Sequence, residues 1–535
     1  MLLNDLTTRA VQLFGDEPAL VNNDTRMTYR ELGLRVRKLA AGLQSLGLAP
    51  REHVAILSNN SFRYLETYLA IPEAGLVLSP INIRLAPPEV AFILNDGEIR
   101  ALLVEREFLP LVEGIRGELH KLRHVVLMDG PAGEGASGDG AWGDGTWGSG
   151  MVGYEDLLQS ADAASLRPPE WDENEMVFLC YTGGTTGRPK GVMLSHRNVA
   201  AQCLHTIQLA EFNERTIWLH VSPMFHAADY WSCFAVSAVG GFHTFIEKFD
   251  PLRTLELIQQ HRVTHLLLVP TMINLILESA GAGKLDTSSV RRILYGAAPM
   301  PEARLRAAIE LFGPVMQHLY GQTETAPFLT ATTISGVHPE GTEAQRRRMM
   351  SCGQPILGVE VEVVGPEGDP VAPGAAGEIV ARGPNVMLGY WNRPEETAAV
   401  LRNGWIHTGD IGSIDEDRYL YILDRAKDMI ITGGENVYCP EVENILYKHP
   451  GVLDAAVIGI PDDIWGEAVK AIVVRAPGSE INAEALISHC KESIAGFKCP
   501  STVDFVDALP KSGVGKVLKQ ELRKPYWKDQ PRAVH

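Results

Sequence analysis

The densest chemistry in the sequence lies in Tyr181-Thr-Gly-Gly-Thr-Thr-Gly-Arg-Pro-Lys-Gly-Val-Met-Leu-Ser-His196. The apolar run Met176 to Tyr181 reads as a strand. It feeds a loop of glycines (Gly183, Gly184, Gly187) and threonines (Thr182, Thr185, Thr186) that ends at Lys190. Glycine lets backbone N–H groups converge on phosphate oxygens, threonine hydroxyls add donors, and the lysine adds positive charge. This is not a Walker loop, which sets lysine directly after glycine and backs the loop with a helix. Here Arg188 and Pro189 separate Gly187 from Lys190. Taken alone, the segment also reads as a Gly/Thr hairpin with no ligand.

Further segments follow in order along the chain. Pro223-Met224-Phe225-His226 comes after the apolar run Ile217 to Val221, with Tyr230 and Trp231 close behind. Next are Tyr295-Gly296-Ala297-Ala298-Pro299 and Tyr320-Gly321-Gln322-Thr323-Glu324-Thr325. Trp405-Ile406-His407-Thr408-Gly409-Asp410 leads to a stretch carrying Asp424, Arg425, Lys427, Gly433, Gly434 and Glu435. The last is Leu509-Pro-Lys511-Ser-Gly-Val-Gly515-Lys516. Each alone has a bland reading: a core histidine, helix packing for Tyr230 and Trp231, a surface turn at T-G-D, a Gly-Gly turn, a solvated lysine. Their order is what carries information.

The series resembles the adenylate-forming superfamily of acyl-CoA synthetases, adenylation domains and firefly-type luciferases, and its acyl-CoA synthetase branch most. The resemblance covers essentially the whole chain. Gly184 stands where the family most often has serine, and Val514 where it has serine or threonine. The resemblance implies ATP contacts from Thr182, Gly183, Gly184, Thr185, Thr186, Gly187 and Lys190, from the Gly296-Ala297-Ala298 and Tyr320-Gly321 segments, and from Thr323, Asp410, Arg425 and Lys516. Asp410 would accept from the ribose hydroxyls, and Glu324 would ligate Mg2+ through hard carboxylate oxygen. His226, Tyr230, Trp231, Gly296 and Gly321 would line the acid site. Asp424 would be a hinge, while Lys427, Gly433, Gly434 and Glu435 would face coenzyme A.

The implied reaction has two halves. A carboxylate attacks the α-phosphorus of MgATP, and the thiol of coenzyme A then displaces AMP from the acyl-adenylate. The first half brings anions together, so positioning and charge compensation dominate. Thr185, Lys190, His226, Glu324 and above all Lys516 are the catalytic candidates. A broadly apolar acid, fatty or aryl, suits the aromatic and small apolar residues between Cys203 and Phe245. Asp229 leaves room for an amine-bearing acid, and the plainer reading is a solvated helix position. The rivals transfer the acyl group to a carrier protein or an amine. A non-catalytic nucleotide binder should have lost Glu324, Asp410 or Lys516, and all three are present.

The elements that must position these residues follow α/β logic. Thr28 and Glu31 make a T-x-x-E capping box ahead of a helix to Leu48, with Leu32, Val36, Leu39, Leu43 and Leu46 on one face. Val54 to Leu57 and His124 to Met128 read as buried strands, and Pro87 to Leu94 as a proline-opened helix. Strand–helix alternation predicts layered α/β structure with parallel sheets. The texture becomes β-rich after residue 352, at Val359 to Val364 and Gly377 to Ala381. It changes again near Asp424, so the expected domains are 1–423, holding the ATP and acid sites, and a small, mobile α+β domain at 424–535. Gly130 to Gly150 reads as a surface loop, and its Gly133-Glu-Gly-Ala-Ser-Gly138 is an accidental G-x-G-x-x-G with no helix behind it.

With 535 residues the chain exceeds one ordinary core. A net charge of −18 argues against nucleic acid or an anionic lipid surface but allows a local basic pocket. The seven scattered cysteines show no C-x-x-C pair and suit a reducing compartment. No run approaches the roughly 20 apolar residues of a membrane span, and the acidic amino terminus is unlike a signal peptide. A cytoplasmic protein is expected, with peripheral membrane contact and a homodimer left open.

Overall fold

The computed structural model describes residues 1–130, 151–182, 189–279, 283–298, 300–425, 427–433, 435–462, 465–511 and 516–527. The surface loop expected at 130–150, with its accidental glycine motif, lies almost wholly outside these residues.

Two large sheets carry the first three-quarters of the chain. In the nine-stranded sheet, Met316–Gly321, Arg292–Gly296, His265–Leu268, Ile217–His220, Phe242–Phe245 and Pro18–Asn22 run parallel to their neighbours. Antiparallel strands flank them on both sides. The eight-stranded sheet repeats the plan: Met176–Thr182, Val77–Pro80, His53–Leu57, Ile99–Val104, His124–Leu127 and Met151–Gly153 are parallel. The central strands His53–Leu57 and Val77–Pro80 are buried along their whole length, as strands covered by helices on both faces require. The parallel sheets expected from strand–helix alternation are therefore present.

Helix starts follow local chemistry. In the helix Tyr29–Ser45 the Thr28 hydroxyl accepts from the Glu31 N–H at 3.3 Å, and the Glu31 carboxylate accepts from the Thr28 N–H at 2.8 Å. Leu32, Val36, Leu39 and Leu43 form its buried face; the helix stops before Leu46, which acts as the C-cap and is half-buried. Thr28→Ala removes one orphan-donor partner and half the box, so unfolding stability should drop by about 1 kcal/mol in urea titration. Ser195 opens the helix His196–Leu209 in the same manner. The predicted strands and the Pro87–Asp96 helix form within a residue or two of their expected ends.

A five-stranded antiparallel sheet follows, built from Glu360–Val364, Gly377–Arg382, Trp405–Ile414, Leu401–Arg402 and Leu420–Arg425. The strands of the fourth sheet all lie beyond Arg425: Ile430–Thr432, Glu435–Val437, Val452–Asp462, Gly466–Arg475 and Thr502–Phe505. One face of this last sheet packs on the helices Cys439–Tyr447 and Ala483–Lys491. The other carries a thinner cluster in which Leu509, Val517, Leu522 and Tyr526 of the carboxy-terminal strap cover Ala456, Ile458, Ile472 and Val474. All seven cysteines are buried and unbridged. Among the described residues, no helix is long and apolar enough to cross a membrane.

Candidate active site

The glycine–threonine loop joins two antiparallel strands, Met176–Thr182 and Lys190–Ser195, with Thr182 directly opposite Lys190. The element behind the loop is thus a strand, as a non-Walker phosphate loop predicts. Gly183, Gly184, Thr185, Thr186 and Gly187 lie outside the described residues, as does Gly434. Lys190 Nζ sits 2.7 Å from a Glu396 carboxylate oxygen and 5.1 Å from the centre of the Tyr390 ring. The Tyr390 hydroxyl in turn donates to Glu324 Oε1 at 2.9 Å. Tyr390 reaches this point because its strand Gly389–Tyr390 pairs with the strand that starts at Lys190. Sequence reasoning passed over Tyr390; the only signal was an aromatic pair, Tyr390-Trp391, directly after a glycine.

Glu324 stands in a single 3-10 turn, Thr323–Thr325, that follows the strand Met316–Gly321. The buried Asn385 amide fixes this turn by donating to the carbonyls of Thr325 (2.7 Å) and Phe328 (2.8 Å). Glycine is required at both motif positions by close backbone approach. A Cβ at Gly296 would lie 2.2 Å from the Leu319 carbonyl oxygen, and one at Gly321 would lie 1.8 Å from that of Pro327. Ala297, beside Gly296, holds φ at +71°, a left-handed conformation that non-glycine residues adopt only at a cost of order 1 kcal/mol or more. Tyr295 is buried and stacks on His318 with centroids 4.7 Å apart. Tyr320 is buried too, and its hydroxyl donates to Asp410 Oδ2 at 2.9 Å.

The T-G-D element lies in the middle of the long strand Trp405–Ile414 rather than in a surface turn. Thr408 donates to the Ile379 carbonyl at 2.7 Å and accepts from the Asp410 N–H at 3.1 Å, which fixes the aspartate relative to the sheet. Arg425 lies directly across from Asp410 in the neighbouring strand, its Nε 3.5 Å from Asp410 Oδ1. Burial raises the Asp410 carboxyl, and the positive charge of Arg425 is the largest opposing influence.

Lys516 enters the same volume from the far end of the chain. Burial pushes its ammonium down to about 8; Arg425 and Lys427 push in the same direction, while Asp410 and Glu324 oppose them. Lys427 is likewise lowered by burial and by Arg425. Three cations and two carboxylates thus lie within electrostatic reach of one another around the Arg425–Asp410 pair, in a chain of net charge −18. The positive charge of Lys516 also reaches His226, whose imidazole is pushed down to about 4, chiefly by burial. His226 is consequently neutral at pH 7, and its Nδ1 accepts from the Ala228 N–H at 3.1 Å.

The rings of Tyr230 and Trp231 are wholly buried at the start of the helix Tyr230–Ala238. Tyr230 packs on Phe178 at 5.5 Å, and Trp231 on Trp218 at 5.4 Å and Phe328 at 5.5 Å. Asp229 corrects both sequence readings: it is neither solvated nor open to an amine-bearing acid. It is 1% exposed and accepts from Trp218 Nε1 (3.1 Å), His220 Nδ1 (2.7 Å) and Ser232 Oγ (2.9 Å).

At the end of the five-stranded sheet, where the chain passes to the carboxy-terminal unit, Asp424 is buried and accepts from the N–H groups of Arg425 and Cys439, each at 2.7 Å. Gly433 has φ +57° and donates its N–H to the Trp465 carbonyl at 2.8 Å. A Cβ there would meet the Trp465 ring at 2.8 Å. The Trp465 side chain is 59% exposed, an unusual state for a tryptophan, and Glu435 is exposed beside it. Trp465 carried no sequence signal beyond its place before Gly466-Glu467.

A magnesium ion fits the donor set. Mg2+ is usually held by one or two carboxylates together with substrate phosphates and water. Glu324 supplies such a carboxylate, and no cluster of three or more His, Cys, Asp or Glu side chains forms an all-protein cage among the described residues.

Comparison with known proteins gives one consistent picture. Residues 7–391 match the sequence family described as AMP-binding enzyme, and 441–516 the AMP-binding enzyme C-terminal domain. A feruloyl-CoA synthase of an Amycolatopsis species is 38% identical over 528 residues, covering 98% of this chain and 99% of that one. A fatty acid–[acyl-carrier-protein] ligase of Streptomyces coeruleorubidus is 34% identical, covering 97% and 95%. Among solved structures, the amide bond synthetase of Marinactinospora thermotolerans superposes with a TM-score of 0.85 at 29% identity, covering 98% of this chain and 100% of that one.

Proposed function

The chain belongs to the family of AMP-binding enzymes, and from that membership we propose that it activates an apolar carboxylic acid, fatty or aryl, as its acyl-adenylate and passes it to coenzyme A. It is an AMP-forming acid–thiol ligase with ATP and coenzyme A as co-substrates and Mg2+ as its metal. The observation that carries the mechanism is the gathering of Lys516, Arg425 and Lys427 around Asp410 and Glu324.

The roles follow from charge and reach. Lys516 and Lys190 compensate the phosphate charge that grows when a carboxylate approaches ATP, with donors from Thr182 to Gly187 alongside. Thr323 takes the α-phosphate, and Asp410 the ribose hydroxyls, with Tyr320 and Arg425 holding its carboxylate in place. Glu324, oriented by Tyr390, would hold Mg2+, which supplies further neutralisation of the triphosphate when bound. His226, kept neutral, stands at the acid site without adding charge, and the buried Phe225, Ala227 and Ala228 give that site apolar walls. The attacking carboxylate is already a nucleophile, so no general base is needed.

Residues 424–535 then act as the mobile unit, turning about Asp424 so that Lys516 leaves and the Gly433–Glu435 hairpin with Lys427 arrives. Trp465, exposed against Gly433, presents a flat face there for the pantetheine or adenine of coenzyme A. Gly433→Ala would strain a left-handed residue and displace the Trp465 ring. Expected is a thioester half-reaction slowed by ~10-fold or more with acyl-adenylate formation unchanged; stopped-flow measurement of the two halves checks it.

The acid and the acceptor are tested together by pyrophosphate release over a panel of fatty and aryl acids, with and without coenzyme A. Turnover strictly dependent on coenzyme A supports the ligase reading. Multiple turnovers without coenzyme A, sustained by an amine or a carrier protein, would overturn it.

A further inference from the structure

Lys516 lies in a strap, not in the body of the carboxy-terminal sheet. The strap is closed by a bridge between Lys511 and Val517 and by the Leu518 N–H donating to the Pro510 carbonyl at 2.8 Å. It then forms the short helix Lys519–Arg523. Among the described residues of the strap, only Leu509 is buried in the apolar cluster beneath it. Burial of that extent fixes a segment weakly, so polar anchors must define its position.

Those anchors converge on the hinge. Lys519 Nζ is 2.8 Å from Glu443, with both side chains 14% exposed. The same Glu443 oxygen accepts from the Val457 N–H at 2.8 Å, on the unpaired edge of the Val452–Asp462 strand. Arg523 meets Asp428 at 2.7 Å, also nearly buried. Asp428 begins a turn in which its own N–H and that of Met429 donate to the Arg425 carbonyl at 2.9 Å. Asp424, in the hinge, is pushed up to about 6 by burial, and Lys519 is the strongest influence opposing that rise. Two cations of the strap thus face three carboxylates belonging to the hinge, the turn after it and the adjoining helix.

We propose that Lys519 is a positioning residue for acyl-adenylate formation: through Glu443 and the hinge carboxylates it fixes the strap so that Lys516 projects into the site beside Arg425 and Asp410. The proposal rests on the reading of Lys516 as the adenylating lysine. It separates the two lysines by function, one touching substrate and the other setting where the first one stands. A displacement of about 1 Å at a reacting centre costs up to ~100-fold in rate, whereas the Gly433 and Trp465 face is set by the sheet and not by the strap.

The test measures both half-reactions of the full-length enzyme for Lys519→Met, Glu443→Gln and the double variant, with Lys516→Ala as reference. Expected for Lys519→Met is an adenylation kcat lowered ~10- to 100-fold with the KM for ATP changed less than about 2-fold. Thioester formation from supplied acyl-adenylate should stay within about 2-fold. The double variant should be no slower than the worse single one, because both remove one contact. Equal loss in both halves, including loss of the folded domain by circular dichroism, would show a merely structural lysine and overturn the proposal. So would unchanged adenylation. If Lys516→Ala itself keeps adenylation, the parent reading fails; if it loses adenylation while Lys519→Met does not, the positioning role alone fails.

Discussion

Lys516→Ala should lower acyl-adenylate formation by at least about 100-fold while leaving thioester formation from supplied acyl-adenylate near the wild-type rate. The asymmetry follows from timing. A cation is needed while negative charge accumulates at the α-phosphorus, and it has no partner once pyrophosphate has left. Comparable loss in both halves would contradict the assignment. The same lysine predicts a pH profile. In the free enzyme its ammonium is pushed down to about 8, first by burial, then by Arg425. It therefore sheds its proton as pH rises through 8, and kcat/KM for ATP in the adenylating half should fall above that value. Bound triphosphate adds negative charge and raises the lysine again, so the corresponding limb in kcat should lie at higher pH. A kcat/KM that stays flat to pH 10 in wild type would show that Lys516 is not the charged group in question.

Much of this architecture was legible because the deciding interactions are local. The capping box at Thr28 and Glu31 is a four-residue event, and the parallel strands are short apolar runs bounded by turn residues. The ordered motifs were legible for a related reason: each is a contiguous run of a few residues. What escaped was non-local. Tyr390 acquires meaning only when its strand pairs with the one beginning at Lys190, some 200 residues earlier, and brings its hydroxyl to Glu324. Trp465 stands out only when its ring is seen exposed against Gly433. Tyr230 and Trp231 are non-local too: their rings pack against Phe178, Trp218 and Phe328, which come from other elements, while the Tyr230 hydroxyl and Trp231 Nε1 are buried with no protein partner among the described residues. Asp229 misled for a similar reason. An acidic residue ahead of a helix reads as solvated, and the donors that bury it come from the strand Ile217–His220 and from Ser232, one turn into its own helix.

That buried aspartate carries the largest expected effect on stability. Asp229→Ala leaves the Trp218 indole N–H and the His220 ring without their acceptor in a buried site, while the Ser232 hydroxyl keeps the backbone carbonyl of residue 229 at 2.7 Å. Each buried donor so stranded costs about 1–3 kcal/mol, so a loss of at least about 2 kcal/mol in unfolding free energy is expected. Asp229→Asn should cost far less, because the surrounding row of groups can reverse its protons. His220 Nε2 is 2.9 Å from His243 Nδ1, and His243 Nε2 is 3.0 Å from Ser237 Oγ. Ser237 is also 2.7 Å from the Cys233 carbonyl. Burial holds His243 neutral. With one proton per ring, the carboxylate of Asp229 takes the His220 Nδ1–H, and the protons of His243 and Ser237 point back along the row. An asparagine amide would donate to His220 Nδ1 instead. His220 Nε2–H then donates to His243, His243 Nε2–H to Ser237, and Ser237 to the Cys233 carbonyl, so the row stays paired and only the second N–H of the new amide lacks an acceptor. Nitrogen-15 chemical shifts of the two imidazoles should therefore exchange their protonated positions in Asp229→Asn, with stability lowered by no more than about half the alanine loss. The acid site should register the same contrast. The Asp229 N–H donates to the His226 carbonyl at 3.1 Å, so loosening Asp229 loosens the turn that carries His226. Asp229→Ala should raise KM for the acid well above that of Asp229→Asn, and equal values for the two variants would sever the link between this buried row and the substrate site.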